Sequence, residues 1–246
     1  MTVGERVALL VTVKAYPEPD LPPDAPISVA GVRTDLDQPE WVRLYPIPYG
    51  DLDPARQFKK YQLVAVDAEA APDDNRPESL RPDPDSLELG RFVDARGRWG
   101  DRRRFLEPLV IDSMCALQRD QKAKGTSLGF FKPKVVESFG WEPVPSAHGA
   151  DPAGFAGPSY RFRYQYRCND PRCEGHSQIV VDWDLQDSFR NWTARYGSEQ
   201  VALEHLRRLW FDEMCAPDRD THFFAGNVAK LPQSFLILGV FWPRGS

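Results

Sequence analysis

Twenty-three prolines are spread along this 246-residue chain, leaving few stretches long enough for a bundle of helices. Each proline removes a backbone donor and crowds the preceding turn, so it breaks helices and confines strands to short runs. Between the breaks, the first hundred residues carry short apolar or alternating segments. Val7 to Ala15 is an apolar run ended by Pro17, and Ile27 to Val32 is a shorter one. Glu40 to Tyr45 and Tyr61 to Val66 alternate polar and apolar side chains, as half-buried strands do. Several short strands separated by turn residues predict a small β-barrel.

The rest of the chain mixes both periodicities. Phe105 to Arg119 and Gln186 to Tyr196 have helical spacing, the second ended by Gly197. Ser198 is placed to cap a further helix reaching Met214. Leu128 to Val136, Tyr160 to Arg167, Gln178 to Trp183, His222 to Val228 and Ser234 to Phe241 read as strands, and the last is apolar on both faces, so it belongs in the middle of its sheet. Segments 17–26, 70–86 and 143–158 read as loops. The expected fold is α+β and β-rich. Residues 1–100 form an OB-like barrel, 101–125 a connecting helix, and 126–246 a mixed sheet and helix unit with a Cys/His loop.

That loop, Cys168-Asn169-Asp170-Pro171-Arg172-Cys173-Glu174-Gly175-His176, sits between two strand-like runs. It offers two thiols and one imidazole within a turn, the donor types of tetrahedral zinc. A closed site needs four ligands, and His222 or Cys215 is the expected fourth. The same residues also allow a plain hairpin turn with free thiols, or a Cys168–Cys173 disulfide. Cys115, on the expected helix, reads as a core thiol.

Two clusters are basic although the net charge is −5. Arg56, Lys59 and Lys60 are interleaved with Phe58 and Tyr61. Arg91 to Arg104 holds six arginines, among them Arg98, Arg102 and Arg103 around Trp99. Cations meet phosphates and rings stack on bases, so Arg56, Lys59, Lys60, Arg98, Trp99, Arg102 and Arg103 are the candidate nucleic-acid contacts, with Tyr49 a further stacking ring. The competing expectation is a solvated, ion-paired surface.

Pro26-Ile27-Ser28-Val29-Ala30-Gly31-Val32, then Trp41-Val42-Arg43-Leu44, then Asn75-Arg76-Pro77-Glu78-Ser79 resemble the motifs of the dual OB-containing domains of prokaryotic conflict and defence systems. The resemblance covers about the first hundred residues and implies a β-barrel and a nucleic-acid partner, with a second barrel around Ser127 to Val136. It implies no catalytic residue. Leu44-Tyr45-Pro46 departs from the family's usual proline directly after the arginine, and the Cys/His loop is foreign to it.

Other chemistry is sparse. Asp182 and Asp184 are two apart and, with Glu199, could hold magnesium in a metal-dependent nuclease or phosphoesterase. Phosphate-loop, nucleophile-elbow and HExxH segments are lacking. The acidic net charge and many aromatics expected to be exposed (Trp99, Trp141, Trp192, Trp242) allow a third reading, a protein-interaction subunit. Without an apolar run of membrane length or a signal peptide, a cytoplasmic location is expected, and the Ala-, Asp-, Pro- and Arg-rich composition resembles a bacterial sequence. The leading expectation is a nucleic-acid-binding accessory protein of a bacterial defence or DNA-processing system, with structural zinc and DNA or RNA as partner.

Overall fold

In the computed structural model, which describes residues 4–16, 26–144 and 160–245, the first hundred residues close on themselves. Of the expected loops at 17–26 and 143–158, residues 17–25 and 145–158 lie outside the described residues. Strands β1 (Glu5–Ala15), β2 (Ile27–Arg33), β3 (Trp41–Ile47), β4 (Gln62–Ala70) and β5 (Ser79–Pro82) bond in the order β1-β2-β3-β5-β4, and β4 returns to β1. The β3–β5 pair is parallel and the others are antiparallel. This is the small closed barrel that the alternating runs predict. A sixth strand, β6 (Glu88–Phe92), extends the other edge of β4.

The continuous apolar run of β1 has a structural cause. Val7, Leu9 and Val11 point into the barrel, while Leu10, Val13 and Ala15 pack outward against the second half of the chain. A register shift between Val11 and Val13 accompanies the change.

The residues that carry the family resemblance prove to be packing and bonding elements. A Cβ at Gly31 would lie 2.4 Å from the carbonyl oxygen of Leu10, so β1 and β2 approach closely only because that position is glycine. Arg43 is almost fully buried and donates from Nη2 to Ser127 Oγ at 3.0 Å. Ser127 in turn donates from its backbone N and its Oγ to Glu78, at 2.9 and 2.7 Å. Burial brings the Arg43 guanidinium down to a pKa of about 9, with Arg76 acting in the same direction.

The second sheet is open, in the order β7-β8-β12-β13-β11-β10-β9. Its strands are β7 (Val110–Ile111), β8 (Leu128–Phe131), β9 (Val135–Pro143), β10 (Tyr160–Arg167), β11 (His176–Val180), β12 (His222–Val228) and β13 (Leu231–Phe241). The doubly apolar β13 lies between β12 and β11. Residues 127–136 therefore feed this open sheet and do not form a second barrel. One face carries Phe131, Phe162, Tyr164, Phe223 and Ile237 and is covered by α2 (Met114–Lys124), α3 (Trp183–Tyr196) and α4 (Glu199–Arg207). The other face, with Phe130, Phe224, Leu238 and Phe241, packs on the barrel. The fold is α+β and strand-rich.

The helix expected over 105–119 is two helices. Helix α1 (Arg96–Leu106) gives way to a 3-10 turn at Glu107–Leu109 and then to β7. Pro108 lacks the N–H that a continuing helix would use, and Ser113 restarts the chain by accepting from Ala116 N at 3.0 Å as the cap of α2. The two halves share a cluster in which Leu10, Val13 and Ala15 of β1 and Leu238 and Phe241 of β13 pack together with Leu106 of α1. The four tryptophans expected at the surface are only half-exposed, and each packs against a core cluster.

Candidate metal centre

Strand β10 ends at Arg167 and β11 begins at His176, with Tyr166 opposite His176 across the hairpin. The connecting loop turns tightly. Asp170 accepts from Arg172 N at 2.9 Å through its side chain and from Cys173 N at 3.0 Å through its carbonyl. Gly175 then takes a left-handed φ of 104°, a conformation that glycine adopts at little cost. These turns fold Cys173 back until its sulfur accepts from Cys168 N at 3.4 Å.

Helix α2 delivers a fourth donor. Cys115, in its first turn, places Sγ 3.5 Å from Cys168 Sγ and 3.5 Å from His176 Nε2, and Cys168 Sγ is also 3.5 Å from that nitrogen. The donor atoms of Cys115, Cys168, Cys173 and His176 all lie within 4.8 Å of one another. Arg119 fastens the helix to the loop by an ion pair with Asp170 at 2.7 Å.

The spacing fits zinc. Bonds of about 2.3 Å to sulfur and about 2.0 Å to nitrogen define a tetrahedron with edges of roughly 3.5–3.8 Å. A disulfide would need sulfurs about 2.05 Å apart, and all four cysteines are free. The thiols are electrostatically unequal. At Cys168 burial opposes ionisation, but the backbone N–H groups of Asp170 and Cys115, with His176 and Cys173, outweigh it and bring the pKa to about 6. Burial and the neighbouring Cys168 push Cys115 up to about 12.

His222 and Cys215, the two residues expected to complete the site, are elsewhere. His222 stacks on Phe130 at 4.9 Å, and its Nδ1 lies 3.0 Å from the Asp220 carbonyl. Cys215 is turned toward the Trp210 carbonyl at 3.6 Å. Sequence reasoning missed Cys115 because it lies 53 residues from Cys168, beyond any local spacing motif. The available signal was an odd thiol at the start of a capped helix.

Residues 110–246, more than half the chain, match the domain of unknown function DUF8757. The chain belongs to the DUF8757 family. Residues 5–108 match a second domain of unknown function, DUF8758. No curated protein matches. Among solved structures, this DUF8757 chain is similar to a murine DNA-binding protein bound to double-stranded DNA, at 8% identity and a TM-score of 0.32, covering 98% of this chain and 97% of that one. At those values the likeness carries no argument.

Within the DUF8757 chain, much of the expected basic surface turns inward. Lys60 pairs with Asp182 at 2.5 Å and Asp184 at 3.2 Å. Arg102 is buried, donates to the Val93 carbonyl at 2.9 Å and lies over the Tyr61 ring. Arg103 pairs with Asp220 at 2.7 Å, and Arg56 donates to the Pro84 carbonyl at 2.6 Å. Tyr49 is buried and donates to the Phe58 carbonyl. Lys59 and Arg98 remain exposed, as do Arg91, Arg96 and Arg104, while Trp99 is half-buried.

Asp182 and Asp184 do come together, at the start of α3. Asp182 caps α3, accepting from Asp184 N at 2.8 Å, and lysines occupy both carboxylates. Glu199 accepts from the Tyr160 hydroxyl at 3.0 Å. Among the described residues, these three carboxylates do not gather into a metal-sized group.

Proposed function

We propose that Cys115, Cys168, Cys173 and His176 hold a structural Zn²⁺ that pins α2 to the β10–β11 hairpin. The supporting observation is a set of four protein donors within 4.8 Å of one another, with Cys115, Cys168 and His176 at the 3.5 Å separation of a tetrahedral edge. Four protein ligands leave no position for water or substrate, which favours a structural over a catalytic role. Elemental analysis of protein purified without chelator should find one zinc per chain, retained by wild type and lost in Cys173→Ser. A metal-free wild-type protein, correctly folded, would refute the assignment.

Around that centre, the reading best supported is a nucleic-acid-binding accessory protein for DNA or RNA, in a bacterial, cytoplasmic defence or DNA-processing setting. Its support is the exposed Arg91, Arg96, Arg98 and Arg104, with Lys59 still free of any carboxylate partner among the described residues. Lysine ammoniums on Asp182 and Asp184 support a structural ion-pair cluster over a magnesium-dependent nuclease. Binding to short oligonucleotides should weaken steeply with salt, with the slope falling by about one for each phosphate-contacting cation removed. Salt-independent binding, or none at low salt, would argue instead for a protein partner.

A further inference from the structure

A cavity of about 390 Å³ opens where the barrel meets the second sheet. Its walls include Lys59, Lys60, Tyr61, Trp99, Trp210 and Trp242. The volume falls within the range of small-molecule sites, about 300–1,000 Å³. The metal centre does not account for it, and of the candidate nucleic-acid contacts Lys59, Lys60 and Trp99 line it.

Backbone strain converges on this place. Among the described residues, the non-glycine positions with left-handed φ are Tyr61 at 63°, Arg98 at 54° and Trp99 at 63°. Two of the three line the cavity, and the third adjoins Trp99. Left-handed backbone is costly for aromatic residues and persists only where the surroundings over-determine it, most often at binding sites. Here the surroundings are visible. Gly97, Arg98 and Trp99 make a left-handed break inside α1. The break presents the Trp99 indole edge-on to Tyr61 at 5.7 Å and to Trp242 at 5.8 Å. The Arg102 guanidinium lies 3.9 Å from the centre of the Tyr61 ring and 4.5 Å from that of Trp99, fixing both. A packing role alone would not require the rings to be held in strained backbone.

The charges are unbalanced in one direction. Lys14 and Lys60 share the carboxylates of Asp184 and Asp182, with Lys14 3.1 Å from Asp184. Lys59 adds a third ammonium, exposed and without a carboxylate partner among the described residues. An aromatic wall beside a surplus cation suits a flat ring that carries an anionic group.

We propose that this cavity binds one nucleotide unit, with the base against the indole wall and the phosphate at Lys59. Every base has a π-face, so aromatic walls accept bases with little sequence preference, and a lysine ammonium serves phosphate as a point charge. The unit is a free nucleoside monophosphate or a nucleotide presented by a nucleic-acid strand. Only the second source rests on the nucleic-acid reading above.

The test is titration of the zinc-replete full chain with AMP, GMP, CMP and UMP, and separately with a twelve-nucleotide single strand, following tryptophan fluorescence and heat. Saturable mononucleotide binding is expected, weakened about tenfold by Trp99→Ala and also by Lys59→Ala. The lysine is exposed, so its replacement leaves the core packing intact and remains informative if the tryptophan variant misfolds. Mononucleotide binding without strand binding supports the cavity as a free-nucleotide site and removes the nucleic-acid reading. Strand binding unchanged by Lys59→Ala and by Trp99→Ala or, should that variant misfold, Trp242→Ala overturns the cavity proposal and leaves the other reading standing. No mononucleotide binding up to millimolar concentration, with strand binding absent or insensitive to these variants, also overturns it.

Discussion

The Nζ of Lys60, just before β4, lies 2.5 Å from Oδ2 of Asp182, a fully buried carboxylate at the start of α3. This ion pair crosses from the barrel to the second half of the chain, and it explains why a lysine that looks like a surface cation in sequence is not one. Burial acts against the Lys60 charge, but Asp182 and Asp184 outweigh it and hold its pKa above the ordinary lysine value. For Lys60 a raised pKa means that its contribution to stability is present below about pH 10 and fades as the pH rises further. Asp182, which burial raises to about 6, is the partner that protonates on the acid side.

Lys60→Ala should therefore destabilise the protein by about 3–5 kcal/mol, because it strands a buried carboxylate. Combining Lys60→Met with Asp182→Asn should restore much of that loss, since removing both charges avoids the stranded one. Urea denaturation of the single and double variants checks this. Equal and additive losses would show that the two residues do not act as a pair.

At the metal centre, Cys115→Ser should cost about 4 kcal/mol or more, because loss of a structural metal is among the few single changes of that size. Cys215→Ser, which changes a thiol outside the cluster, is the control and should retain metal. Thermal melts with and without chelator provide the measurement. Chelation should lower the melting temperature of wild type and Cys215→Ser but leave Cys115→Ser nearly unmoved.

How far the sequence reveals this arrangement depends on how local the signal is. Cys168, Cys173 and His176 could be read together because one hairpin holds them, whereas Cys115 reaches the cluster only through the packing of α2. Four barrel strands were legible as apolar or alternating runs, whereas β5 lies in a segment read as a loop, and Ser198 and Gly197 marked real helix ends. Pro108 signalled a break, but it also suits the first turn of a helix, so the split between α1 and α2 stayed hidden. Basic clusters were the poorest guide. Composition shows that Lys60, Arg102 and Arg103 are cations but not that Asp182, the Val93 carbonyl and Asp220 await them from distant parts of the chain.

Gly31→Ala should destabilise by about 3 kcal/mol or more, since the added methyl meets the Leu10 carbonyl oxygen at 2.4 Å, against backbone that cannot easily move. Gly140→Ala, where an added Cβ has open space around it, should change stability far less. Chemical denaturation of the two variants side by side distinguishes a steric cost from a general intolerance of alanine in strands.

Acid should reveal Asp74. Burial acts to raise its pKa, but hydrogen bonds from Arg76 prevail and bring it down to about 2. A depressed carboxylate pKa adds stability that is present above pH 4 and lost as the pH falls toward 2. The difference in urea midpoint between wild type and Asp74→Asn should thus be largest above pH 4 and shrink as the pH falls through 2. A gap that stays constant through this range would assign the effect of Asp74 to hydrogen bonding alone.

The place of β13 governs the order in which the chain can assemble. Barrel strands β1 to β5 are all present once residue 82 has been synthesised, so that ring can close early on a ribosome. The second sheet is different, because its middle strand ends at Phe241. Until that strand emerges, β12 with β8 and β11 with β10 are two fragments with open, apolar edges. In that interval, a Cys/His clip joining α2 to the β10–β11 hairpin would keep one fragment ordered while it waits for its neighbour.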